Sequence, residues 1–162
     1  MEKKKRNQLE QADRQTLAEQ MQELNRQLIV KQIQETNRYT EQFGLTLTKE
    51  DAELLVTERT NTLKAERRVE FWESILPKII DAFCDSAYIR QAEYTKTLLR
   101  LQEIFYRYKN ETMDEVTDDE LLHFMKRKFE TVCRGDLDYL EGTCLELFAQ
   151  EVRAGYRGYQ KW

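Results

Sequence analysis

Residues 94–108 read YTKTLLRLQEIFYRY. Tyr94, Leu98, Leu101, Phe105 and Tyr108 recur at steps of 4, 3, 4 and 3, and Ile104 widens the stripe. This spacing returns to one face of a helix and does not alternate as a half-buried strand would. A helix over 89–110 with such a seam needs other helices to cover it, which is the logic of a bundle.

Toward the C-terminus comes an acidic link, 111–120, with Glu111, Asp114, Glu115, Asp118, Asp119 and Glu120. Within it Thr117 and Glu120 have capping-box spacing, and acidic residues in a first turn suit the positive end of a helix dipole. The helix that follows, over 118–134, buries Leu121, Leu122, Met125, Phe129 and Val132. Gly135 ends it and Asp136 caps the last helix, whose inner side is Leu137, Leu140, Cys144, Leu147, Phe148 and Val152. Gly155 and Gly158 loosen a tail over 156–162.

Toward the N-terminus, 69–84 is the most apolar stretch. Val69, Trp72, Leu76, Ile79, Ile80 and Phe83 make a wide buried face. Pro77 lies in its middle, where it removes one backbone hydrogen bond and clashes with the preceding turn. A kink or a helix restart is expected at Ile75–Pro77. Before it, Thr48 and Asp51 begin a helix running to about Arg67, with Ala52, Leu55, Val56, Leu63 and Val69 on one face.

Residues 8–42 read as one long helix closed by Gly44. Leu17, Met21, Leu24 and Leu28 step by 4, 3 and 4, a short heptad seam. At about 1.5 Å per residue this helix is about 52 Å long. A compact body formed by the remaining chain is roughly 35 Å across. One end must overhang, and the Gln-rich N-terminal part is the more polar: nine of the 13 glutamines fall in the first 42 residues. The expected organisation is a polar extension over 1–22, one helical domain over 23–155, and the tail.

Composition agrees with an all-α bundle of about six helices. Five Gly and one Pro in 162 residues are too few for the turns of a sandwich or barrel. The net charge of -4 argues against a globally basic nucleic-acid binder. Lys3, Lys4, Lys5 and Arg6 form a basic tail, read as a solubilising, disordered end. No apolar run approaches the roughly 20 residues that span a bilayer, and no apolar signal core stands at the start. Three scattered cysteines do not make a secreted disulfide framework, so the expectation is a cytoplasmic protein.

Chemistry is sparse. His123 is the only histidine, so any Ser-His or Cys-His site depends on it, and no nucleophile signature flanks it. Glu120 and His123 form Glu-x-x-His, which di-metal bundles use twice with two further glutamates. One chain has no second set, and only a dimer interface supplies one. Cys84, Cys133, Cys144 and His123 lack the paired spacing of a zinc site and read as separate core thiols and a surface or rim histidine. The 111–120 carboxylates lack the EF-hand order and read as a solvated loop. Glu70, Glu73, Asp81 and Asp85 read as a charged outer face. Neither a P-loop nor a Gly-x-Gly-x-x-Gly turn is present. Tyr106-Arg107-Tyr108-Lys109 and Tyr156-Arg157 mix aromatic and basic groups that could stack bases, but the seam already claims Tyr108. Helix 118–134 is not basic enough at its start to enter a major groove.

Arg68-Val-Glu-Phe71, Ile75-Leu-Pro-Lys78, Ala82-Phe-Cys-Asp-Ser86, Tyr106 to Thr112 with Lys109-Asn-Glu-Thr, Thr117-Asp-Asp-Glu-Leu121 and the span from Gly135 to Gly142 resemble a family of small helical proteins of unknown function from Firmicutes and related anaerobes. The resemblance covers about half of the chain. Trp72 and Ala87 depart from a pattern with small residues near 72 and 74 and Pro near 87. It implies a bacterial, cytoplasmic, helical protein and carries over no activity, cofactor or site residue.

The leading expectation is a non-enzymatic interaction or regulatory module. Its partner, a second copy or another protein, would dock through Leu17, Met21, Leu24 and Leu28. The alternative is a small enzyme or metal-binding bundle using Glu70, Glu73, Asp81 or Glu120 with His123. A third is a nucleic-acid-binding regulator acting through the basic tail. No residue is assigned a catalytic, cofactor-binding or metal role.

Overall fold

The computed structural model describes residues 1–70 and 73–155. Among them there are six helices and no strand. Helix α1 is Glu2–Glu35, continued past Thr36 by the short turns Asn37–Thr40 and Glu41–Phe43. Then come α2 (Lys49–Ala65), α3 (Leu76–Phe83), α4 (Tyr94–Glu111, entered through a 3-10 turn at Gln91–Glu93) and α5 (Asp118–Glu130). The last, α6, is built of Leu137–Tyr139, a π turn at Leu140–Leu145, and Glu146–Arg153. The expected all-α bundle with a long N-terminal helix is what forms.

Helix α4 is the centre. It packs on α2, α3 and α5, and every residue of its expected seam is buried: Tyr94, Leu98, Leu101, Ile104, Phe105 and Tyr108. Helix α6 packs on α5 through its π turn, and Phe124 stacks on Phe148 with ring centroids 4.1 Å apart.

Both capping boxes form. The Thr48 hydroxyl accepts from the Asp51 amide while the Asp51 carboxylate accepts from the Thr48 amide; Thr117 and Glu120 do the same. Asp136 accepts from the amides of Asp138 and Tyr139 and so caps α6. Gly44, at φ 77°, closes the N-terminal helix.

Of the two outcomes expected at Ile75–Pro77, the restart forms and not the kink: Pro77 sits in the first turn of α3, where its missing N–H costs nothing. Three expectations need correction. Val69 is 72 % exposed instead of lining the core. The cause lies just upstream: α2 ends at Ala65, Arg67 turns left-handed at φ 55°, and the Arg68 amide donates back to the Leu63 carbonyl oxygen. This Schellman turn throws 68–70 out of the helical path. Val132 is exposed because α5 stops at Glu130, two residues before it. Leu147 is exposed while Leu145 and Ala149 are buried. The π turn holds one residue more than an α turn, so the inward face beyond it moves on by one position. Trp72 and the 156–162 tail lie outside the described residues.

Candidate functional site

The N-terminal helix has two halves with different physics. Ile29, Val30 and Ile33 are buried against the body, and each such side chain contributes about 1.5–3 kcal/mol by leaving water. Helix α1 packs there on α2 and α3. From Met1 to Asn25 every residue is exposed. The basic run Lys3 to Arg6 belongs to this helix and is not the disordered end expected from sequence. Leu17, Met21, Leu24 and Leu28 are 58–63 % exposed and line the projecting part. Their flanks are uncharged. With Leu17 and Leu24 at d, and Met21 and Leu28 at a, the e and g positions are Ala18, Gln20, Asn25 and Gln27.

Beside the root of this helix runs a groove between α1 and α2. Ile29, Val56 and Leu63 form its floor, and Arg26, Arg59, Arg68 and Glu70 line its walls. Arg59 is buried, and its Nε donates to the Glu70 carboxylate at 2.7 Å. Glu70 is therefore the partner of a buried cation and not part of an outer charged face. Nothing in the spacing of 59 and 70 signals this, because Schellman geometry at Arg67 brings them together. The same carboxylate lies by Tyr106, whose phenol is pushed far up, first by burial and then by Glu70.

Of the other candidate carboxylates, Glu73 is exposed and shares a shallow depression with Glu70, Arg68 and Asp118, while Asp81 and Glu120 lie elsewhere. Asp81 lies in a second depression with His123, between Lys78, Asp119 and Lys126. His123 and Asp81 are exposed, and Glu120 is engaged in its capping box. Among the described residues no three His, Cys, Asp or Glu side chains form a group able to hold a metal ion.

The acidic link is a clamp, not a freely solvated loop. Arg68 donates to Asp114 at 2.8 Å and 3.0 Å. Lys109, itself buried, donates to the Val116 carbonyl oxygen at 2.6 Å and to Asp118 at 2.9 Å. Arg153 binds Glu111 at 2.8 Å, and Lys78 binds Asp119 at 3.3 Å. Arg68 holds the Asp114 carboxyl below its ordinary range, chiefly by hydrogen bonding. A buried lysine must be paired or it costs several kcal/mol, and the carboxylates of the link meet that need.

Base stacking by Tyr106 to Lys109 is ruled out. Tyr106, Tyr108 and Lys109 are buried, and the single Tyr108 hydroxyl proton is shared between the Glu146 carboxylate at 2.6 Å and the Glu141 carbonyl oxygen at 2.8 Å. The Tyr156-Arg157 pair lies outside the described residues. The cysteines are not all separate: Cys133 and Cys144 are sulfur to sulfur at 3.8 Å, while Cys84 faces the Asp81 carbonyl oxygen.

The model of a family of unknown function, DUF6323, matches residues 32–158. That span takes in the whole body and leaves out most of the projecting helix. The chain belongs to the DUF6323 family. No curated protein and no solved structure matches it. Among the described residues, no helix is long and apolar enough to cross a membrane. The family match contains every landmark from Arg68 to Gly142 on which the sequence resemblance rests. It begins beyond Leu28, so the exposed seam lies outside the part this chain shares with the family model.

Proposed function

We propose that this DUF6323 member is a non-enzymatic interaction module of the bacterial cytoplasm that self-associates through its projecting N-terminal helix. One observation carries the reading: four apolar side chains at heptad steps stand exposed on a helix that is exposed at every residue up to Asn25. A helix without tertiary contacts is marginal in water, and an apolar seam gains by being covered. A second copy suits this seam because its e and g positions carry no charge, so identical helices meet without repulsion. The cytoplasmic assignment rests on the sequence resemblance and on three cysteines that are free in the structure.

Analytical ultracentrifugation of the full chain and of the Leu17→Lys/Leu24→Lys double variant tests this. The expected result is a concentration-dependent dimer for the wild type and a monomer for the variant. A wild type that stays monomeric at about 100 μM, well above the micromolar range of specific association, overturns self-association. Capture of a different protein through the same seam would then replace the second copy as occupant.

A further inference from the structure

Cys133 and Cys144 lie away from the seam and take no part in the proposed self-association. Cys133 sits in the turn leaving α5, its amide donating to the Lys128 carbonyl oxygen, and Cys144 sits in the π turn of α6. Their sulfurs are 3.8 Å apart; Cys133 is buried and Cys144 half-buried. We propose that this pair is a modification site, a dithiol that closes to an intramolecular disulfide by exchange with a low-molecular-weight disulfide.

A disulfide requires sulfurs about 2.05 Å apart. The approach needed from 3.8 Å is under 2 Å. The two thiols belong to different elements, so the bond would cross-link the end of α5 to the π turn. It would enclose Gly135 and the Asp136 cap. Wide turns of this kind recur at functional positions in helices.

Accessibility sets the order of events. The Cys144 thiolate attacks one sulfur of the small disulfide. The Cys144–S bond forms, the small molecule's S–S bond breaks, and the first thiolate leaves and takes up the proton Cys144 released. The Cys133 thiolate then attacks the Cys144 sulfur, breaks the mixed disulfide, and expels the second small thiol, which takes the Cys133 proton. The protein loses two protons and two electrons; the small disulfide takes them up and is reduced to two thiols. Burial, and then the neighbouring Cys144 thiol, push Cys133 up to about 12, so it is a poor first nucleophile. Its attack is intramolecular, which compensates for a small thiolate fraction.

The test uses the reduced full chain with oxidised glutathione as the probe, read by intact mass and non-reducing peptide mapping. The expected product has lost two hydrogens, links Cys133 to Cys144, leaves Cys84 free and reverts with dithiothreitol. Its melting midpoint rises by about 5 °C. Cys133→Ser should accumulate a glutathione adduct on Cys144, and Cys84→Ser should behave as the wild type. An unmodified wild type, an adduct persisting on its Cys144, or a link to Cys84 or to a second chain overturns the proposal.

Discussion

The Arg68 guanidinium grips the Asp114 carboxylate with two hydrogen bonds, 2.8 Å and 3.0 Å long. The contact spans 46 residues and joins the turn after α2 to the turn after α4. Asn110 completes it. Its side-chain oxygen accepts from Arg68 at 2.7 Å, and its amide donates to the Glu66 carbonyl oxygen at 2.7 Å. Two helix ends are thus locked by one polar network.

That pairing predicts a pH dependence. Arg68 depresses the Asp114 carboxyl, so the pair contributes stability above the ordinary aspartate value of about 3.9. It loses that stability as pH falls through the lower folded-state value. Asp114 is about half exposed, which limits the contribution to about 1 kcal/mol. Asp114→Asn keeps a residue that tolerates the left-handed backbone, φ 55° here. Urea titrations should show a constant gap between wild type and variant from pH 7 to 5, shrinking below about pH 4. A gap that stays constant down to pH 2 would sink the assignment.

Met113 offers a stabilising change. It occupies the left-handed position of a Schellman turn at φ 54°: the Asp114 amide donates to the Lys109 carbonyl oxygen and the Met113 amide to that of Asn110. A non-glycine residue costs about 1–2 kcal/mol there, and the exposed Met113 side chain returns little in packing. Met113→Gly should raise stability by about 0.5–1 kcal/mol, the part left after glycine's extra unfolded-state entropy. A lower urea midpoint would contradict this.

What the sequence disclosed and what it hid follow from these turns. The seam of α4, both capping boxes and Gly44 were legible, because apolar period and cap chemistry are local. The ends of α2 and α5 were not. The left-handed turn after α2 uses Arg67, and arginine carries no turn signal; α5 stops at Glu130, well before the Gly135 that marks its end in the sequence. Misplacing the end of α2 also put Val69 in the core and hid the Arg59–Glu70 pair. The π turn shifted the face of α6 by one residue for a similar reason, since its wide hydrogen-bond pattern has no compositional mark. The projecting helix was legible from length alone, because a helix longer than the body must overhang.

Two glycines in the same region should respond with opposite signs. Gly135 has φ 86°, and a Cβ there would lie 2.8 Å from the Cβ of Tyr88, a position fixed by backbone. Gly135→Ala should cost about 2–3 kcal/mol through the combined clash and left-handed strain. At Gly142, in the π turn, a Cβ meets nothing within 4 Å and the backbone is not left-handed. Gly142→Ala should gain up to about 1 kcal/mol. Thermal melts of both variants check the pair, and equal shifts of the same sign would refute the geometry.

The two halves of the N-terminal helix should separate folding from association. Ile33 is fully buried, and Leu24 is 61 % exposed on the same helix. Ile33→Ala removes core volume and should cost about 2–5 kcal/mol. Leu24→Ala removes a side chain that touches mostly water and should change the stability of the monomer by less than about 0.5 kcal/mol. If the seam is covered by a second copy, the cost of Leu24→Ala should grow with protein concentration, since dimer formation adds to apparent stability by mass action. Melts at a dilute and a hundredfold higher concentration separate the terms. A large Leu24→Ala effect at high dilution would mean the helix folds back on the body. No effect at either concentration would leave the seam without energetic purpose and remove the basis for self-association.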